Sequence, residues 1–199
     1  MRFPSSIQNL INQFIKLPTV GPKTAERFVF YLLLQSPEEL QKFAQAVAEL
    51  KEKITICQNC FAVAESNPCA ICADKKRDES LVCIVENTRD MIAMEKTGEY
   101  KGYYHILGGV INAIENVGPE NLKMKELIEK IKLGKIKEII IALNPNLEGE
   151  TTTLYLTKQL EPFKIKITRL AKGLPTGADL EYADDATLVN ALKYRNEIK

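Results

Sequence analysis

Four cysteines fall as two pairs in one short stretch, Cys57-x2-Cys60-x8-Cys69-x2-Cys72, and constrain the chain more than any other feature. A C-x2-C knuckle points two thiolates at one ion, and two knuckles complete a tetrahedral four-sulfur shell that suits zinc. The intervening loop is too short to be a domain. It carries Asn67-Pro68, turn chemistry able to fold the second knuckle back on the first. A disulfide framework, a CxxC redox centre and an iron–sulfur cluster are competing uses of such a quartet. Disulfides need an oxidising compartment, and Arg2-Phe3-Pro4-Ser5 does not open a secretory signal. The spacing is therefore assigned to one structural Zn2+ per chain. Four protein ligands leave no open position, so this metal holds structure and does not catalyse.

A chain of 199 residues, 45% hydrophobic, makes one large or two small domains with an ordinary core. With 27 basic and 26 acidic residues the net charge is +1, which gives no whole-molecule argument for nucleic acid but leaves room for local basic patches. No apolar run approaches the roughly 18 residues of a membrane span, so a cytoplasmic protein is expected. His105 is the single histidine and would have to serve any Ser-His-Asp triad alone. Gly134-Lys135 lacks the upstream glycine and the following hydroxyl of a phosphate-binding loop.

Apolar spacing at Ile7, Leu10, Ile11, Phe14, then Ala25, Phe28, Leu32, then Leu40, Phe43, Val47, Leu50 marks a helical region up to about Lys53. Beyond the cysteines, strands over 81–85, 103–107, 136–143 and 165–170 alternate with helices over 88–97, 120–133, 148–160 and 180–193. Thr88 is a candidate N-cap of the first of these helices. Such alternation implies βαβ units and a mainly parallel sheet, an α/β fold.

Leu17-Pro18-Thr19-Val20-Gly21-Pro22-Lys23-Thr24-Ala25 ends one helix and starts another. Gly21 is assigned a tight turn with positive φ, and Pro22 suits the first helical position. N–H groups at that helix start attract phosphate, and Lys23 and Arg27 share one helix face. Gly21, Lys23 and Arg27 are thus candidate contacts to DNA backbone, without base readout. The segment resembles a helix-hairpin-helix motif, with Thr19 where the pattern has glycine. It reads equally as an ordinary joint between helices with a solvated basic edge.

Glu86 follows one strand, and Asn144-Pro145-Asn146 with Glu148-Gly149-Glu150 follows another. If the strands are parallel neighbours, these residues meet at the carboxyl edge of the sheet, where α/β proteins place their sites. Glutamate after one strand and Asp-x-Asp after the next would resemble a topoisomerase–primase (Toprim) magnesium site. Here asparagines stand for both aspartates, and two charges are lost. The alternative reading of the chain is a metal-dependent Toprim nuclease or primase; the plainer reading of the asparagines is a turn around Pro145. Cys83 reads as a buried inert thiol, and His105 as a packed or hydrogen-bonded histidine. Lys123, Lys125, Lys130, Lys132, Lys135 and Lys137 read as a solvated face interleaved with Glu126 and Glu129. Lys164, Lys166, Arg169 and Lys172 are the better candidates for contacting DNA or a partner.

The order of these elements, closed by Gly-Leu-Pro-Thr-Gly-Ala-Asp-Leu-Glu-Tyr-Ala-Asp at 173–184, closely resembles the RecR family of bacterial recombination mediators over nearly the whole chain. Thr19 and Asn146 are the departures. The resemblance implies a helix-hairpin-helix DNA-binding region (1–56), a four-cysteine zinc finger (57–72), a Toprim domain (80–175) and a C-terminal helical or oligomerisation segment (176–199). It implies a non-enzymatic scaffold for DNA repair, located with the bacterial nucleoid, that acts with RecF and RecO to load RecA at single-stranded gaps. It also implies sequence-independent binding of single- and double-stranded DNA by a ring-like dimer or tetramer. Lys23 and Arg27 would then face the interior of the ring. The Toprim acidic cluster, Glu86, Asn144, Asn146, Glu148 and Glu150, would receive RecO or RecF.

Overall fold

The computed structural model describes residues 3–197; the outer limits of the first and last expected segments lie outside the described residues. The chain divides into two compact units, Met1–Ile54 and Thr55–Lys199.

The first unit holds α1 (Ser5–Ile15), α2 (Pro22–Leu33) and α3 (Pro37–Glu49). α1 and α2 close on Ile11, Ala25 and Val29, with Ile7, Phe14 and Val20 packed around them. These positions recur every three or four residues, so they line one side of each helix. α3 starts at Ser36, whose hydroxyl accepts the Glu39 N–H at 3.3 Å, with Pro37 at its first position. It buries none of its residues, and Phe43, Val47 and Leu50 are exposed.

The turn between α1 and α2 departs from expectation. Gly21 has φ −85° and ψ 170°, an extended N-cap, whereas Thr19 takes the left-handed conformation at φ 66°. A residue before proline is held extended because the proline ring crowds it, so Pro22 denies Gly21 the reversal. The reversal falls two residues earlier.

The second unit is built on four parallel strands in the order β4-β3-β5-β6, in keeping with the α/β expectation. They are β3 (Asp78–Val85), β4 (Gly102–Ile106), β5 (Glu138–Ala142) and β6 (Lys166–Arg169). Side chains alternate across a strand. Val82 and Ile84 of β3, with Ile139 and Ile141 of β5, face one layer, made with α6 (Met124–Lys132) and α7 (Leu147–Leu160) through Leu127, Ile131, Leu156 and Leu160. Cys83 and Val85, with Tyr104 and Ile106 of β4, face the other. That layer holds Met91 of α5 (Thr88–Glu95) and three buried cysteines of the quartet, Cys57, Cys60 and Cys69. The metal knuckle, carrying the short pair β1 (Thr55–Ile56) and β2 (Val63–Ala64) and the single turn α4 (Ala70–Ala73), thus forms part of the core on the second face.

Strand ends shift by up to three residues from the sequence reading, and three helices differ from it more substantially. Asn87, not Thr88, caps α5, accepting the N–H groups of Arg89 and Asp90 at 2.9 and 3.2 Å. The Thr88 hydroxyl instead accepts the Val63 N–H of the knuckle at 3.0 Å. The helix expected over 120–133 is a 3-10 turn, Pro119–Asn121, followed by α6, because Leu122 leaves the helical path at φ −101°, ψ 158°. The closing helix likewise splits into a 3-10 turn, Leu180–Tyr182, and α8 (Asp185–Lys193), which is capped by Asp184.

Candidate functional site

The sulfurs of Cys57, Cys60, Cys69 and Cys72 all lie within 4.8 Å of one another. Zn–S bonds of about 2.3 Å in a tetrahedron require sulfurs about 3.8 Å apart, and Cys60 and Cys69 lie 3.6 Å apart. None of the five cysteines is in a disulfide. The loop is folded back by Asn67, whose side-chain oxygen accepts the Gln58 N–H at 3.0 Å. The N–H groups of Cys69 and Cys72 point at the sulfurs of Cys57 and Cys69, each at 3.4 Å. Such donors favour thiolate, as a metal shell requires. A hydrogen bond from Cys72 holds the Cys60 thiol low, at about 5, while the same bond pushes Cys72 well above the ordinary thiol range. Four sulfurs this close cannot all be anionic without a cation among them, and a divalent ion replaces the shared protons. Cys83, buried on the same face, is pushed up to about 12 by burial and stays a neutral thiol.

The knuckle is fastened to the edge of the sheet. The Ile106 N–H of β4 donates to the Cys60 carbonyl at 2.9 Å, which covers an otherwise open strand edge. The Tyr103 hydroxyl donates to the Asp74 carbonyl at 3.0 Å. On the α6 side Phe61 meets the ring of His105 edge-on, with centroids 5.3 Å apart. His105 is fully buried, and its Nε2 donates to the Lys123 carbonyl at 2.6 Å. That tautomer leaves Nδ1 to accept from the Lys130 ammonium at 3.1 Å. Burial, reinforced by Lys130, pushes His105 down to about 3, which favours the neutral ring.

Lys130 is the exception to the solvated lysine face. It turns inward, hydrogen-bonds the Asn59 carbonyl within the first knuckle and lies over the Phe61 ring at 4.9 Å. Burial pulls its pKa down, and the nearby cysteine sulfurs, Cys60 foremost, oppose that pull. Sequence reasoning missed it. The available signal was its place three residues after Leu127 and one before Ile131, at the border of the apolar side of α6.

At the carboxyl edge β3 and β5 are parallel neighbours, with Val85 beside Ala142, so Glu86 and Asn144 meet. The Asn144 amide donates to the Glu86 carboxylate at 3.2 Å. Asn146 does not aim at Glu86; its side-chain oxygen caps α7 by accepting the Gly149 N–H at 2.9 Å. A Cβ at Gly149 would lie 1.9 Å from the Asn144 carbonyl oxygen, so glycine is needed for this close turn. Glu150 points elsewhere, to Arg169 at 2.7 and 3.1 Å and to Lys172 at 2.6 Å. These cations hold its carboxyl at about 2. Of the basic group over 164–172, Arg169 and Lys172 are thus engaged with Glu150, and Lys166 with Glu138 at 2.8 Å. Glu148 makes no side-chain hydrogen bond among the described residues.

In the first unit, Lys23 and Arg27 are exposed one turn apart on α2, opposite the buried Ala25 and Val29. Gly21 is exposed, with open space around its Cα.

Four family models match in the order these elements occur. They are the RecR helix-hairpin-helix over 7–51, the RecR zinc finger domain of the four-cysteine type over 54–74, the Toprim domain over 80–171 and the RecR C-terminal segment over 173–196. With its sulfur geometry, the quartet is a structural zinc site. The chain is 49% identical over 198 residues to a protein named recombination protein RecR from Bifidobacterium animalis subsp. lactis, covering 100% of this chain and 99% of that one. It is 47% identical to the protein of that name from Staphylococcus aureus strain MRSA252, covering 100% of both chains. Identity of this degree from end to end, joined to a closed four-sulfur site and an amide-substituted Toprim edge, places the chain in the RecR family.

Proposed function

We propose that this protein is a non-enzymatic DNA-binding scaffold of recombination and repair. It acts with RecF and RecO to promote RecA loading at single-stranded gaps. The observation that carries the non-enzymatic reading is the state of the carboxyl edge. Of the residues grouped there, Glu86 is bonded to an amide, Asn146 is consumed as a helix cap, and Glu150 is paired with two cations. A divalent ion needs several free anionic oxygens converging on one point. The edge is better suited to receiving a partner, through Glu86 and Glu148.

DNA binding is assigned to the start of α2. The first-turn N–H groups there have no intrahelical acceptor, and Lys23 and Arg27 add two exposed charges. These groups meet phosphate and read no bases, so binding is independent of sequence and serves single and double strands. Self-association into a clamp-like ring is supported by the bare side of α3, where Phe43, Val47 and Leu50 stand 48–63% exposed.

The reading is tested with the double variant Lys23→Ala, Arg27→Ala and by the mass of the protein in solution with and without DNA. The variant should bind every sequence more weakly, with a shallower dependence on salt. Unchanged affinity removes the DNA assignment, and a monomer under all conditions removes the ring.

A further inference from the structure

We propose that Lys130 is the countercharge of the zinc tetrathiolate and sets how fast the metal is lost. The inference rests on the zinc reading and goes beyond it, since the four ligands do not by themselves account for the charge they create.

A zinc ion with four thiolates carries a net charge of about −2. A charge that is taken out of water needs fixed donors or cations around it. Backbone N–H groups reach the sulfurs of Cys57 and Cys69. The ammonium of Lys130 arrives from α6, far away in sequence, and hydrogen-bonds the carbonyl of Asn59, which lies between ligands Cys57 and Cys60. It lines one 310 Å³ cavity together with Cys72, the ligand least shielded from solvent.

Its other direct contacts are neutral; Glu79, which lines the same cavity, is paired with Lys135 at 2.9 Å, and Glu126, one turn away on α6, is paired with Lys123 at 3.1 Å. His105 Nδ1 accepts at 3.1 Å, and the Phe61 ring lies at 4.9 Å. Among the described residues no carboxylate stands within ion-pair distance of it, although Lys123, Lys135, Arg77 and Arg169 all have one. A lysine drawn inward without a carboxylate is explained if the anion it serves is the metal centre. The Asn59 bond then acts as a strut that keeps the first knuckle against α6, and the ammonium offsets the charge of the thiolates.

The test compares zinc release to a chromogenic chelator from the full-length, zinc-loaded protein and three variants. Lys130→Gln keeps an N–H donor but removes the charge, Lys130→Arg keeps the charge, and Lys125→Gln removes an exposed charge from the same helix. Lys130→Gln should release zinc about 10-fold faster, the lower end of what outer partners contribute to metal affinity. Lys130→Arg should stay near the parent, and Lys125→Gln should match it. A Lys130→Gln rate within twofold of the parent, or an equal acceleration by Lys125→Gln, overturns the proposal. If Lys130→Gln does not fold, Lys130→Arg decides: retention near the parent supports the charge, and rapid loss overturns it. The zinc content of the parent chain reports separately on the metal site itself.

Discussion

Asn144 donates its side-chain amide to the carboxylate of Glu86 at 3.2 Å, across the carboxyl ends of two neighbouring parallel strands. An aspartate at that position would face Glu86 as a like charge. The bond therefore turns a place suited to a divalent ion into an amide–carboxylate clasp between β3 and β5, with one charge fewer than an aspartate would bring.

The substitution Asn144→Asp should lower stability at neutral pH by about 1–2 kcal/mol, since it removes a hydrogen bond and sets two carboxylates against each other. The loss should shrink on adding magnesium, which offsets the paired charges. Thermal melting at neutral pH, with and without the ion, measures this, and a variant as stable as the parent contradicts it.

Removing one zinc ligand should unfold more than the knuckle. Cys57, Cys60 and Cys69 share a buried cluster with Val85, Tyr104 and Ile106 of the sheet. Cys57→Ala, or extraction of the metal, should lower the melting temperature of the second unit by about 10 °C or more, as several kcal/mol of ligation are lost. Hydrogen exchange should show the change in β3 and β4 as well as around the cysteines. A zinc-free variant with the parent's melting temperature would argue that the metal has no structural role.

Glu150 links stability to pH through Arg169 and Lys172. Its carboxyl is held at about 2, below the ordinary value of 4.5. A depressed carboxylate contributes stability that is present above its unfolded value and is lost as the pH falls through the folded one. The contribution should thus disappear between about pH 4.5 and 2. The three side chains are partly exposed, so screening keeps it to no more than about 1 kcal/mol. Glu150→Gln should be less stable than the parent in urea unfolding at about pH 6, with the gap closing near about pH 2.5.

Thr19 occupies a left-handed conformation that suits glycine better than a β-branched residue. Thr19→Gly should stabilise the first unit by up to about 1 kcal/mol, and Thr19→Ala should not. If glycine destabilises it in thermal melting, the conformation at residue 19 is not a source of strain.

Much was legible in the chain because it depends on local spacing. The cysteine quartet names its metal through two CxxC pairs, and the alternation of apolar runs with helical patterns carries the parallel sheet. Lys23 and Arg27 fall on one helix face by their separation alone. Other features depend on what packs against what. Pro22 moved the reversal from Gly21 to Thr19 through a steric clash with the residue before it. Asn144 met Glu86 only because the sheet order put β3 beside β5, while Glu150, one turn beyond Asn146, was drawn to Arg169. Lys130 read as one more solvated lysine until the knuckle and α6 met across the edge strand β4. Motifs set by covalent spacing survive any packing and can be read directly. Which charge meets which partner is decided by contacts between segments far apart in the chain, and these exist only in the folded molecule.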